Sequence, residues 1–197
     1  MPDEPIHSNS VGDARYFRTL ADLQDAYKTQ PRPDRDVGRV HLIVRRGDAG
    51  LRACPERVDL TPTSGIPGDA WGRKPHKSMN GQLTVMERGV AEMVANGQPL
   101  TLFGDNLIVE LDLTAGSLPI GSTLQMGGAT LVVTPMPHNG CSKFQARFGK
   151  EALKFVARKP TRSHNLRGVY MRVTHAGVVA VGDAIRVLHR PPPPEIR

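Results

Sequence analysis

Short alternating runs of β-branched residues, each ended by a glycine or proline turn, constrain the fold of this chain more than any other feature. Val40, Leu42 and Val44 show the alternation that is typical of a strand with one buried face. Similar runs cover residues 106–113, 129–134, 168–174 and 184–188. The 20 glycines and 17 prolines make up about 19% of the 197 residues, whereas an average protein has about 12%. This composition disfavours a helical bundle.

Many short strands favour a closed sheet, because closure leaves no exposed strand edge. The fold class that we predict is mainly β, with a closed or nearly closed, largely antiparallel β-barrel and a few short helices. Two segments break the strand pattern, Val85 to Ala95 and Lys150 to Arg158, and their apolar spacing predicts helices.

The segment before the first strand has a different pattern. Tyr16, Leu20, Leu23 and Tyr27 recur at helical spacing after Asp13, which predicts a short amphipathic helix. A proline-rich, charged stretch follows it and is typical of a linker. We therefore divide the chain into an N-terminal extension with helix and linker, a barrel domain and a Pro-rich tail. Their bounds are residues 1–36, 37–190 and 191–197.

The charge balance indicates the kind of partner. With 26 Lys and Arg against 19 Asp and Glu, the net charge is +7, so the surface should attract anionic ligands. Only 5% of the residues are aromatic, which leaves few platforms for base stacking and disfavours nucleic-acid binding. No apolar run approaches the ~20 residues of a membrane helix. The two cysteines and the lack of a secretory leader predict a cytoplasmic protein.

The loop around Cys141 holds the residues best suited to chemistry. Two prolines end a strand, a polar turn begins at His138, and Cys141 stands where a helix is expected to start. Helix N–H groups, Lys143 and Arg147 would favour the thiolate, which attacks sulfur or binds a soft metal. The alternative is that Cys141 is a small buried apolar residue, as free cysteines often are.

The chain resembles the MOSC domain, which is found at the C-terminus of molybdenum cofactor sulfurases. The resemblance covers about residues 37–190 and rests on a collinear set of short motifs. These are Gly68-Asp69, Asn106-Leu-Ile-Val-Glu110, Leu111-Asp112-Leu113, Ile120-Gly121, Gly140-Cys141-Ser142-Lys143-Phe144, Arg167-Gly168-Val169-Tyr170-Met171-Arg172-Val173 and Val181-Gly182-Asp183. The chain departs from the usual pattern after Gly68-Asp69, where Ala70-Trp71 stand in place of basic residues. It also lacks the glycine that often follows the glutamate at position 110.

The resemblance implies a β-barrel whose Cys141 ligates the molybdenum of a pyranopterin cofactor or carries sulfur. In amidoxime-reducing relatives the metal centre reduces N-hydroxylated compounds, and in cofactor sulfurases a separate pyridoxal-phosphate desulfurase domain supplies sulfur. A molybdenum-dependent oxidoreductase and a Cys141 persulfide carrier therefore both remain open. The residues expected to hold the molybdenum cofactor are His138, Lys143, Arg147, Arg167, Asn106, Arg73 and Lys74.

Partners and rival sites complete the prediction. A small molecule or cofactor is the expected ligand, with a cysteine desulfurase or an electron-transfer protein as a macromolecular partner, and a homodimer is left open. His138 and Cys141 resemble half of a zinc site, but structural zinc needs four ligands. A Cys141–His138 hydrolase would need a third, orienting group, which the spacing does not identify. A nucleic-acid-binding barrel is the rival from another class.

Overall fold

In this computed structural model the chain is described over residues 6–7 and 11–192. The predicted extension and tail therefore lie partly outside the described residues, at 1–5, 8–10 and 193–197. The strands are β1 Ile6–His7, β2 Val37–Ile43, β3 Arg45–Arg46, β4 Leu51–Ala53, β5 Arg57–Leu60, β6 Leu83–Glu87, β7 Leu107–Glu110, β8 Thr123–Met126, β9 Ala129–Val133, β10 Val169–His175, β11 Gly177–Ala180 and β12 Ala184–His189. The α-helices are α1 Leu20–Thr29, α2 Arg88–Ala95, α3 Ser142–Phe148 and α4 Lys150–Val156.

Seven of these strands close a barrel in the order β10-β6-β7-β2-β12-β8-β9, with β9 paired back to β10. Every neighbouring pair is antiparallel except β6 and β7, which run parallel because α2 makes the crossover between them. The predicted mainly β, largely antiparallel barrel is confirmed. A three-stranded sheet, β1-β4-β3, and a two-stranded sheet, β11-β5, stand outside the ring.

The apolar residues form two cores on opposite faces of the barrel wall. The alternating inward residues of the barrel strands, such as Leu83, Val109 and Leu131, fill its interior. The second core lies between the outer wall and the helices, and Phe103, Phe148 and other aromatic rings fill it. Phe103 and Phe148 stack with ring centroids 4.1 Å apart. The wall strands next to the helices are thus buried on both faces.

Burial on both faces explains one wrong prediction. The helix expected from Val85 begins only at Arg88, because Leu83–Glu87 is barrel strand β6. Its first four residues are all buried, so the run shows no alternation that would indicate a strand. The Glu87 carboxylate accepts from the backbone N–H groups of Gly89 and Val90, which places the start of α2.

The other two predicted helices, one after residue 149 and one in the extension, also differ from the structure. Lys150 to Arg158 was expected to be helical, and α4 ends at Val156 while a separate helix, α3, precedes it. Gly149, with φ +89°, ends one helix and begins the other, a conformation that favours glycine. In the extension, Thr19 rather than Asp13 caps α1, so Tyr16 lies outside that helix.

The extension packs on the helical side of the barrel. Leu23 and Tyr27 of α1 are buried in the outer core, and Tyr27 meets Phe155 of α4 edge to face at 5.9 Å. Further along, Gly12 N–H donates to the Ala146 carbonyl of α3. Within the described part of the chain, no helix has the length and apolar character needed to cross a membrane.

Candidate functional site

The loop between β9 and α3 presents Cys141 at the surface. Cys141 is the N-cap residue of α3, in extended backbone conformation, and its side chain makes no capping hydrogen bond. The thiol-bearing residue is exposed, so the alternative of a buried apolar cysteine is wrong. Gly140 lets the loop pack tightly on α4, because a Cβ there would lie 2.3 Å from Leu153 Cδ1. The packing of this glycine positions Cys141.

A buried ion pair underlies the loop. Arg167 Nη1 donates to Asp105 Oδ2 at 2.7 Å, and the side chains are 9% and 0% exposed. The Arg167 guanidinium also lies over the Phe144 ring, 5.2 Å from its centroid. Arg167 directly precedes Gly168, whose φ of +89° turns the chain into β10. Arg167, which was expected to hold the cofactor, therefore lies in this buried cluster, and its partner Asp105 belongs to no motif of the sequence.

His138 lies beside this pair. Its Nε2 is 3.7 Å from Asp105 Oδ1, which is longer than a hydrogen bond, and its ring packs on Tyr170 at 4.6 Å between centroids. Burial, with the positive charge of Arg167, lowers the pKa of His138 to about 4 even though Asp105 opposes the shift. At neutral pH His138 is therefore an uncharged imidazole.

Two further arginines add positive charge to the same region. Burial and the charge of Arg147 lower the pKa of Arg52 to about 10, and the Asp105 carboxylate partly offsets this. Burial likewise lowers the pKa of Arg147. The charge of Arg167 lowers this pKa further, whereas the nearby Cys141 opposes the shift. Arg147 also donates to the Leu102 carbonyl at 2.9 Å. Burial raises the pKa of Tyr170, and the charge of Asp105 raises it further.

Several buried polar atoms in this cluster lack a hydrogen-bond partner among the described residues. They are Arg52 Nη1, Asp105 Oδ1, His138 Nδ1 and Arg167 Nε. Buried polar groups are normally paired, and leaving one unpaired costs about 1–3 kcal/mol. Such a concentration of unpaired atoms beside an exposed thiol is typical of a place where a ligand completes the hydrogen bonding.

Asn106, which was expected to hold the cofactor, makes its hydrogen bonds inside the protein. Its Oδ1 accepts from the backbone and hydroxyl of Thr84, and its Nδ2 donates to the Val44 carbonyl and to Asp69. All of its hydrogen-bonding capacity is thus used inside the protein. The structure places Asn106 as a brace between strands, and it leaves no group with which the side chain could bind a ligand.

The buried Asp69 pairs with the half-buried Arg46 next to Asn106. Arg46 Nη2 donates to Asp69 Oδ2 at 2.6 Å, and the backbone N–H groups of Arg46 and Trp71 also donate to this carboxylate. Burial would raise the pKa of Asp69, but these donors outweigh it and the pKa is lowered. Asp69 therefore neutralises Arg46 and anchors the loop that holds Arg73.

The remaining predicted residues lie at the surface. Arg73 pairs with Asp48 at 3.1 Å and donates to the Gly68 and Arg46 carbonyls, so it is tied to its own loop. Lys74 and Lys143 are exposed. The structure thus brings Cys141, His138, Arg147 and Arg167 together. Arg52 and Asp105, which complete the cluster, come from segments that carry no motif in the sequence.

No group of three or more His, Cys, Asp or Glu side chains within residues 6–7 and 11–192 could hold a metal ion. A conventional zinc site is therefore not built from the described residues. A cofactor whose metal takes a single protein ligand is a different case, because most of its coordination comes from the cofactor itself.

The fold and the site together define the class of this protein, which is a mainly β barrel with an exposed cysteine near buried arginines. Within this class the match is specific: the MOSC domain model fits residues 78–186, just over half of the chain, and the chain belongs to the MOSC domain family. The predicted family is confirmed. No curated protein matches the chain.

Solved structures agree on the fold. The YuaD protein of Bacillus subtilis has 20% sequence identity and a TM-score of 0.53, covering 77% of this chain and 95% of its own. YiiM of Geobacillus stearothermophilus has 17% identity and a TM-score of 0.54, covering 78% of this chain and 76% of its own. YiiM of Escherichia coli has 19% identity and a TM-score of 0.51, covering 77% and 70% respectively. At these identities the likeness concerns the fold.

Proposed function

We propose that this MOSC domain binds a molybdenum pterin cofactor, with Cys141 as the protein ligand of the metal, and reduces N-hydroxylated compounds. One observation carries the proposal: an exposed thiol lies in the same region as two buried arginines, and one donor atom of each, Arg52 Nη1 and Arg167 Nε, has no partner among the described residues. A pyranopterin cofactor combines a soft metal with an anionic phosphate and polar ring atoms. A thiolate suits the soft metal, and guanidinium groups suit the phosphate and the polar ring atoms.

The individual residues fit such a group in distinct ways. Cys141 would bind the metal, while Arg52 and Arg167 would donate to anionic or carbonyl oxygens of the cofactor. Arg147 adds positive charge near the thiol, and this charge would attract the anionic part of the cofactor. When bound, the cofactor would supply the two-electron redox chemistry, and an electron-transfer protein would be the partner that it needs.

His138 has a separate role in this proposal. As a neutral imidazole beside Asp105, it can donate or accept a hydrogen bond without carrying charge into the site. Tyr170, which packs on its ring, keeps the imidazole in place. Both residues would orient a substrate rather than hold the cofactor.

Metal analysis tests this proposal. The chain is produced in a host that makes molybdenum cofactor, together with Cys141→Ala and, as the matched control, Cys54→Ala. We expect molybdenum close to one atom per chain in the native protein and in the Cys54 variant, and its loss from the Cys141 variant. Equal molybdenum in all three proteins would contradict the role of Cys141. A loaded protein that reduces no N-hydroxylated compound would contradict the assigned activity.

The exposure of Cys141 also favours a second candidate, a sulfur carrier. A desulfurase persulfide would transfer its outer sulfur to Cys141, so that the donor returns to a thiol and Cys141 becomes a persulfide. The pyridoxal phosphate of that reaction would belong to the desulfurase. This candidate predicts a mass increase of one sulfur atom after incubation with a cysteine desulfurase and free cysteine, reversed by reduction and absent from Cys141→Ala. An unchanged mass of the native protein would eliminate it.

A further inference from the structure

A polar cavity lies next to the segment that leads to Cys141. It has a volume of about 110 Å³, and the residues that line it include His138, Asn139, Arg158, Arg162, Asn165 and Gly168. One water molecule takes up about 30 Å³ in the liquid, so this space has room for a tetrahedral oxyanion or a carboxylate. We refer to it as the Arg158–Arg162 cavity.

The two arginines of the cavity carry charge that the described residues do not neutralise. Neither forms an ion pair with a carboxylate in the part of the chain that the structure describes. With the Gln24 amide turned so that its oxygen faces the guanidinium, Gln24 accepts from Arg158. A neutral amide can orient Arg158 but leaves its charge intact.

The fold places both arginines by local structure. Arg158 is the N-cap residue of the 3-10 helix Lys159–His164, and Arg162 lies in its last turn. Asn165 ends this helix with a left-handed backbone, φ +48°, and its side chain donates to the Leu113 carbonyl. The segment is therefore held at both ends, and both arginines line the same small cavity.

A second, independent observation points to a ligand in this space. His138 lines the cavity, its side chain is 6% exposed, and its Nδ1 has no hydrogen-bond partner among the described residues. Asn139, in the same wall, is two residues from Cys141, which limits the distance between their Cα atoms to about 7 Å. A molecule that fills the cavity therefore ends close to the thiol.

We propose that the Arg158–Arg162 cavity binds the phosphate or carboxylate group of a small-molecule ligand whose other end reaches Cys141. Two guanidinium groups provide charge-assisted hydrogen bonds in the fork geometry that suits such oxyanions, and the imidazole supplies a further polar contact. The part of the proposal that concerns Cys141 rests on the proposed function, and it assigns an anionic substrate to that centre. The binding of the anion itself does not depend on it.

Titration with inorganic phosphate tests the anion site. The full-length protein is produced in a host without molybdenum cofactor, and binding is followed by amide chemical shifts of Asn139 and Gly168. The test variant is Arg158→Gln with Arg162→Gln. The control, Lys150→Gln with Lys159→Gln, removes the same charge from exposed positions outside the cavity. Loss of two charge-assisted hydrogen bonds should raise the apparent Kd at least about 10-fold, while the control changes it little. Equal weakening in both variants, or none in either, would overturn the proposal.

Two further arms identify the source of the anion and its reach. If phosphate still binds to the cofactor-loaded protein, the site serves a separate small molecule. If loading abolishes phosphate binding and the arginine variant loses molybdenum, the site holds the phosphate of the cofactor, and the assignment to a substrate is overturned.

Phenyl phosphate should also slow the alkylation of Cys141 by iodoacetamide in the native protein and not in the arginine variant. Absence of this protection would overturn the link to Cys141. Native protein without molybdenum that still binds phosphate would refute the proposed function alone.

Discussion

Arg167 and Asp105 are 62 positions apart in the sequence, yet Arg167 Nη1 donates to Asp105 Oδ2 at 2.7 Å in the interior of the protein. The pair joins the start of β10 to the loop before β7, directly beneath the segment that carries His138 and Cys141. Because both members are almost fully buried, the site depends on this pair for its shape as well as for its charge.

Removal of one member of this pair should destabilise the protein strongly. Asp105→Asn would leave Arg167 as an uncompensated buried charge, and breaking a buried pair in this way costs about 3–5 kcal/mol. We expect the midpoint of urea unfolding to fall accordingly. The control is Lys28→Gln, which breaks the exposed Lys28–Asp25 pair and should cost at most about 1 kcal/mol. Similar losses in the two variants would contradict the buried role of Asp105.

Gly168 should not tolerate a side chain. A Cβ there would lie 2.1 Å from the Val85 carbonyl oxygen, in addition to the strain of a positive φ. Gly182 has nearly the same φ, +88°, but nothing lies within 4 Å of a Cβ built there. A substitution at Gly182 therefore measures the backbone strain without a steric clash. Gly182→Ala should cost about 1–3 kcal/mol. Gly168→Ala should cost clearly more in chemical unfolding, or prevent folding. An equal cost would show that the clash with β6 is relieved.

The stability of the protein should fall on mild acidification because of His138. Its folded pKa of about 4 lies below the ordinary histidine pKa of 6.5, so the folded state binds this proton less readily than the unfolded state. The contribution is present above about pH 6.5 and is lost as the pH falls toward 4, with a slope of at most about 1.4 kcal/mol per pH unit.

We would measure the free energy of unfolding of the native protein and of His138→Gln between pH 7.5 and pH 4.5. This range covers most of the interval between the unfolded and folded pKa values of His138. The variant should have the shallower pH dependence. His76→Gln, at an exposed position, serves as the control and should behave as the native protein does. If His138→Gln and the native protein lose stability in parallel, His138 is not the titrating group.

Gln98 should couple the N-terminal segment to α3. Its Oε1 accepts from Asp13 N–H at 2.8 Å, and its Nε2 donates to the Arg147 carbonyl at 3.3 Å. Gln98→Leu would leave these backbone groups unpaired, which costs about 1–3 kcal/mol each where they are buried. We expect faster amide hydrogen exchange at Asp13 and faster proteolysis near it. Gln145→Leu, on the exposed side of α3, is the control and should leave exchange at Asp13 unchanged.

The sequence pattern predicted the barrel strands well wherever one face of a strand meets the core. Strands β9, β10 and β12 lie at the predicted positions, because alternation is a local property that the residues themselves display. The pattern failed for β6, since a strand that is buried on both sides shows no alternation. It also predicted one helix from Lys150 and missed α3 before it, because the break at Gly149 depends on a single backbone conformation.

The sequence by itself determined the barrel class, the family and the prominence of Cys141, since all three rest on local patterns and short collinear motifs. Only the tertiary structure decided what surrounds the thiol. It placed Arg52 and Arg167 beside Asp105, used up the hydrogen bonds of Asn106 inside the protein, and brought His138 to the cavity that Arg158 and Arg162 line. The physical reason is that a buried charge is placed by contacts between distant segments, which sheet register and core packing set together. No local pattern records such contacts.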